Sequence, residues 1–122
     1  MQFSFEKLDV WQLSRELVKA IYEVTSTFPD KEIFGLTSQL RRASISISSN
    51  IAEGNSRFSP KDKSHFTEMA YTSLMEVANQ LIIACDLNYL NTEELEAFKN
   101  KIDTISHKLT GLYNYQRQQP KR

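Results

Sequence analysis

The side chains able to do acid–base, nucleophilic or metal chemistry are few. Two histidines, His65 and His107, and one cysteine, Cys85, are spread over 122 residues. A four-helix bundle that holds two metal ions supplies Glu-x-x-His twice, with two further inward glutamates. His65 follows Asp62 by three and precedes Glu68 by three, and neither histidine has a glutamate three residues before it. No glycine-rich phosphate loop, HExxH or CxxC element occurs. Serine, histidine and aspartate are present, but no motif brings them together. The pattern predicts no catalytic residue, no metal and no cofactor. Cys85, within "LIIACDL", reads as a small buried hydrophobe. A single thiol excludes a disulfide within the chain and fits a reducing compartment, so a cytoplasmic location is expected.

The remaining chemistry is charge. Residues 1–33 carry a net charge of −2, residues 34–65 carry +3, residues 66–100 carry −5 and residues 101–122 carry +4, giving zero for the chain. Basic side chains gather around one loop (Arg57, Lys61, Lys63) and late in the chain (Lys101, Lys108, Arg117, Lys121, Arg122). Such groups bind phosphates without reading sequence and with strong salt dependence. Together with Arg41 and Arg42, the residues Arg57, Lys61, Lys63, Lys108, Arg117, Lys121 and Arg122 are the candidate nucleic-acid contacts. The same charges also serve as an ordinary solvated surface.

The elements that must position these residues are helical. From about Lys7 to Thr27, Val10, Ser14, Leu17, Ile21, Val24 and Phe28 recur at three- and four-residue steps, one face of a helix. Pro29 ends that segment. A second runs from about Lys31 to Glu53, with Leu36, Leu40, Ala43, Ile47 and Ile51 on its stripe. Within it, "ASISIS" alternates like a strand, but the helical template explains more apolar positions over a longer span. Gly54 reads as a helix stop in the left-handed conformation. A third segment opens at "SPKD", where Ser59 caps and Pro60 fits the first turn, and it runs to about Leu87. It carries two stripes: Phe66, Ala70, Ser73, Val77, Leu81, Ala84, and Tyr71, Leu74, Met75, Ala78, Ile82, Cys85. A fourth begins at "NTEEL", with Asn91 or Thr92 as cap, and carries Leu95, Phe98, Ile102, Ile105, Leu109 and Leu112.

Short links make consecutive helices antiparallel. The expectation is an all-α fold, an antiparallel up-down-up-down four-helix bundle forming one domain over residues 1–122, with a flexible basic tail from about residue 116. No apolar run approaches the roughly 20 residues that span a bilayer. The N-terminal stretch lacks the apolar core of a signal peptide. No membrane association is expected.

A helical wheel of the second segment places Arg42, Ile45, Ser46, Ser49 and Glu53 away from the core stripe. Small serines flatten a helix and let another approach closely. With the second stripe of the third segment, this makes Ile45, Ser46, Ser49, Tyr71, Met75 and Ile82 candidate oligomer contacts. Asn50 and Glu53 are candidate structural polar residues, Asn50 as a buried amide bonding across the bundle or as a contact to a partner.

The order of motifs resembles a known family. Phe5, Leu8, Val10, Trp11, Phe28, Pro29, Glu32, Gly35, Leu36, Gln39, Leu40, Arg41, Arg42, Ala43, Ser46, Ile47, Asn50, Ile51, Ala52, Glu53 and Gly54 match the pattern of the four-helix bundle proteins of the 23S rRNA intervening-sequence family. Ala70, Ser73, Leu74 and Glu76 resemble its following A-x-x-S-L-x-E element. The resemblance implies a homopentamer and a gene sometimes inserted in ribosomal RNA genes. It also implies kinship with the accessory variability proteins of diversity-generating retroelements, which bind nucleic acid and a reverse transcriptase. It brings no catalytic residues. The expected function is a non-enzymatic oligomeric bundle binding RNA or a ribonucleoprotein through a basic surface; the alternative is a protein–protein adaptor or structural oligomer.

Overall fold

The computed structural model describes residues 1–118. Four α-helices follow one another: α1 (Asp9–Thr25), α2 (Leu36–Asn55), α3 (Pro60–Asp86) and α4 (Thr92–Arg117). Short 3-10 turns, Ser4–Lys7 and Asp30–Glu32, precede α1 and α2. Each helix packs on its sequence neighbours, most extensively α2 on α3, and α4 closes back on α1 through the slightest seam. The result is an antiparallel up-down-up-down four-helix bundle. One end carries the α1–α2 and α3–α4 turns. The other carries the start of α1, the α2–α3 turn and the end of α4.

The core is built from the stripes. Leu17, Ile21, Leu40, Ile47, Ile51, Leu74, Val77, Leu81, Ile105 and Leu109 are almost completely buried, and each large aliphatic side chain contributes about 1.5–3 kcal/mol by leaving water. The caps satisfy backbone groups that a helix leaves unpaired at its ends. The Ser59 hydroxyl accepts from the Asp62 amide at 3.1 Å, with Pro60 opening α3. Asn91 and Glu94 form a reciprocal capping box at α4. At the end of α3, Asn88 takes φ 65°. Its amide donates to Cys85 O and the Tyr89 amide to Ala84 O, both at 2.9 Å, closing the helix.

Several expectations are corrected. Gly54 does not stop α2: no glycine has positive φ, and the helix continues through Asn55. A Cβ there would lie 2.8 Å from Phe66 Cβ, so Gly54 lets α3 approach α2. The second helix starts at Leu36 rather than Lys31, because Pro29 leads into the 3-10 turn and Gly35 precedes the first regular turn. The first spans Asp9–Thr25, inside the expected Lys7 to Thr27. In α3, Leu74 belongs to the core face with Ala70, Val77 and Leu81, while Phe66 and Ser73 sit half-buried on its edge. Helix α4 includes Gln116, placed by expectation in the tail. Gln116 is buried and its Oε1 accepts from the Thr67 hydroxyl at 2.6 Å. Lys121 and Arg122 lie outside the described residues.

Candidate nucleic-acid interface

Helical register divides the candidate cations between the two ends of the bundle. Arg57 follows α2, and Lys61 and Lys63 lie in the first turn of α3. Arg117 closes α4 at the same end, next to the Gln116 that bonds Thr67. The Arg57 guanidinium lies 4.4 Å from the centre of the Phe66 ring, and Lys63 Nζ donates to Asn55 O at 3.2 Å. That bond caps an orphan carbonyl at the end of α2 with a positive charge. Arg117 stands 5.9 Å over Tyr113. Lys61 is exposed. These four gather around the α2–α3 turn and the close of α4.

Arg41 and Arg42 lie near the start of α2, toward the other end. Between Arg41 and Arg57 the chain advances most of the length of α2, about 24 Å at 1.5 Å per residue. Arg41 is used within the fold: Nε donates to Thr25 Oγ1 at 2.9 Å, and its guanidinium lies 4.6 Å over Tyr22. It ties α2 to the last turn of α1. Arg42 is exposed. Lys108 pairs with Asp9, joining α4 to the start of α1.

The serines of α2 are used in different ways. Ser44 is buried and its hydroxyl donates to Arg41 O at 2.9 Å, and Ser48 bonds Ile45 O in the same way. Such bonds satisfy a hydroxyl inside its own helix. Ser46 meets Ser73 of α3 at 3.0 Å, inside the same chain. Asn50 Nδ2 donates to Ser46 O and Oγ at 2.9 and 3.1 Å, so the amide bonds along its own helix and reaches α3 only through Ser46. Ser49 and Glu53 are exposed, and Ile45 is 42% exposed on the outer face. Further along the α2–α3 seam, Gln80 Nε2 lies 3.4 Å from Gln39 Oε1 and 3.3 Å from Glu76 Oε2. Its own Oε1 is buried without a partner. Turning the amide over would set that oxygen against two others, so the orientation holds.

Tyr71, Met75 and Ile82 are part-exposed and line a groove of about 310 Å³ between α3 and α4 with Ala78, Leu95 and Ile102. Ile45 lies on a different face of the bundle from this groove.

The sequence reading missed a clasp at the end opposite the Arg57 group. The Glu32 carboxylate accepts from Tyr89 Oη at 2.8 Å and from the Leu36 amide at 3.1 Å. The tyrosine hydrogen bond, then the amide bond, hold Glu32 below the usual carboxylate range, and the same carboxylate pushes the Tyr89 hydroxyl up. The Tyr89 ring also packs on Phe28 at 5.3 Å. A Cβ on Gly35 would come 2.8 Å from Glu32 Oε1, so the glycine leaves room for the carboxylate. Phe28, Glu32, Gly35 and Leu36 thus act as one unit, and the only trace in sequence was their place in a motif.

His65 and His107 are exposed. Among the described residues, no group of three or more His, Cys, Asp or Glu is placed to hold a metal ion. None of their helices is long and apolar enough to cross a membrane.

The fold and this surface define an α-helical bundle protein that offers charged and apolar faces. Residues 6–111 match the 23S rRNA-intervening sequence protein family, and the chain belongs to it. Its fold is similar to the crystal structure of a protein of unknown function from the S23 ribosomal protein family of Bacteroides thetaiotaomicron, with a TM-score of 0.76 and 22% identity over 85% of this chain and 97% of that one. A search of curated proteins returned no match.

Proposed function

We propose that the protein is a non-enzymatic, oligomeric bundle of the cytoplasm that binds RNA or a ribonucleoprotein through its basic end. The observation that carries this reading is the gathering of Arg57, Lys61, Lys63 and Arg117 around the α2–α3 turn and the close of α4. Two of these cations are steadied by aromatic rings, Arg57 by Phe66 and Arg117 by Tyr113. The positive end of the α3 dipole adds to the attraction for phosphate. Lys121 and Arg122 extend the basic sequence beyond α4. Arg41 and Arg42 are left out of the contact set because they lie toward the other end of α2, and Lys108 because its charge is paired with Asp9. The kinship with accessory variability proteins implied by sequence resemblance belongs to the same proposal. Titration of the purified protein with a structured RNA at low and moderate salt tests it. Binding that weakens steeply with salt is expected. No binding at low salt, or affinity indifferent to salt, rejects it.

Assembly is part of the proposal, with a homopentamer as the family resemblance implies. A closed ring joins two different surfaces of one protomer. Ile45 on the outer face of α2 and the Tyr71, Met75 and Ile82 groove are two separate apolar surfaces of that kind. Light scattering should give a mass well above the 14.1 kDa of one chain. Ile45→Glu should lower that mass while leaving the urea midpoint nearly unchanged; a 14.1 kDa wild-type particle rejects assembly.

The groove also favours a second reading, a protein adaptor without nucleic-acid contact. A partner captured from lysate that survives nuclease treatment, together with no RNA binding, would select it.

A further inference from the structure

The α2–α3 turn contains an inversion. Arg57 and Phe58 are adjacent, yet the arginine lies on the Phe66 ring while the phenylalanine is 100% exposed. Both side chains are exposed, and the arginine is the one that packs on a ring. The turn is pinned on both sides. The Ser56 and Arg57 amides donate to Glu53 O and Gly54 O at 3.1 Å. Ser59 caps α3, and the Lys63 amide bonds Ser59 O at 3.0 Å. The turn therefore holds the Phe58 ring out in solvent, with Arg57 beside it in the chain and Lys61 and Lys63, which flank Asp62, in the first turn of α3.

A flat apolar face among cations is the chemistry of single-stranded nucleic-acid sites, where bases stack on aromatic rings and cations follow the backbone. A duplex keeps its bases stacked on one another and offers no face to the ring. We infer that Phe58 is a stacking platform, and that the nucleic acid bound at this end is unpaired: a loop, a bulge or a free single strand. This rests on the nucleic-acid reading above and specifies the form of its ligand. Phe34 supplies an internal contrast. It is 96% exposed in the α1–α2 turn, but it lies beside Asp30, Lys31 and Glu32, at the end that also carries Asp86, Glu93 and Glu94, where the acids outnumber Lys31, Arg41 and Arg42. That balance of charge disfavours phosphate.

The test is fluorescence anisotropy at low salt, with a short unpaired RNA oligonucleotide and the duplex of the same sequence as probes. Phe58→Ala should weaken binding of the unpaired strand about tenfold and leave the duplex unchanged. Phe58→Tyr should restore affinity, Phe58→Leu should not, and Phe34→Ala should change nothing. Circular dichroism and light scattering on each variant report fold and mass. If the wild type binds and Lys61→Glu weakens it while Phe58→Ala does not, the stacking inference fails and the basic end stands. Full affinity in Phe58→Leu, or a changed particle mass in Phe58→Ala, also overturns the inference, the latter by making Phe58 a subunit contact. If the wild type binds neither probe, both readings fail.

Discussion

The α1–α2 turn and the α2–α3 turn close opposite ends of the bundle, and each holds a phenylalanine out in solvent. At the first end the chain is secured by a carboxylate: Glu32 caps α2 and takes the Tyr89 hydroxyl. At the second it is secured by contact: Gly54 admits Phe66, and Arg57 covers the ring. The first clasp needs a charge and has acidic neighbours. The second needs close packing and leaves cations standing around it. An exposed ring alone carries little information, since apolar surface residues are common. The charges beside it and the rigidity beneath it make one end a candidate site and the other a structural corner.

The sharpest way to break this comparison is to crowd each glycine. Gly54→Val forces the bulk of a side chain against Phe66 Cβ, an atom fixed to its backbone, and should cost about 1–3 kcal/mol in urea unfolding. It should also loosen Arg57 and weaken RNA binding. Gly35→Ala meets the far end of the Glu32 side chain, which moves more readily than a Cβ but gives up its bonds to Leu36 and Tyr89 in doing so, and its loss should be the smaller of the two. If both cost the same, the ends are not held by different means.

Charge reversal comes next. Lys61→Glu should weaken RNA binding about tenfold and flatten its salt dependence. Arg42→Glu, equally exposed but toward the acidic end, should leave affinity unchanged. Equal losses would spread the contact along α2 and remove the distinction between the ends.

The smallest effect is one of pH. Glu32 has a folded pKa below its unfolded value, so its contribution is complete above the unfolded pKa and is lost as pH falls through the folded one. The raised Tyr89 pKa acts in alkali: its contribution is complete below the unfolded value and is lost as pH climbs toward the folded one. Urea midpoints across an acid series should show a shallower decline in Glu32→Gln than in wild type. Lys61→Glu should keep the wild-type slope in that range.

Local rules made much of the fold legible. The Ser59 cap, the choice of Asn91 or Thr92 at the start of α4, and the stripes of α1, α2 and α4 follow from spacing alone. Gly54 was misread because a glycine at the close of an apolar stripe resembles a stop, and its true reason, Phe66, lies on the next helix. Leu74 was set on the outer stripe because both faces of α3 are apolar, and only the positions of α2 and α4 decide which is inward. Glu32 and Tyr89 are 57 residues apart, beyond any periodicity. The candidate site was legible as a composition of cations. Its division between two ends, and the engagement of Arg41 with Thr25, depend on how α2 is threaded through the bundle.

The slight seam between α1 and α4 has a consequence for motion. Where α2 and α3 share a long, tight face, α1 leans on the bundle mainly through α2, with Lys108 and Asp9 as a charged stitch on its open side. Proteins open in units set by such differences in packing. In hydrogen exchange the amides of α2 and α3 should therefore be the last to trade their protons, and those of α1 among the first, the helix lifting as a flap hinged on its link to α2.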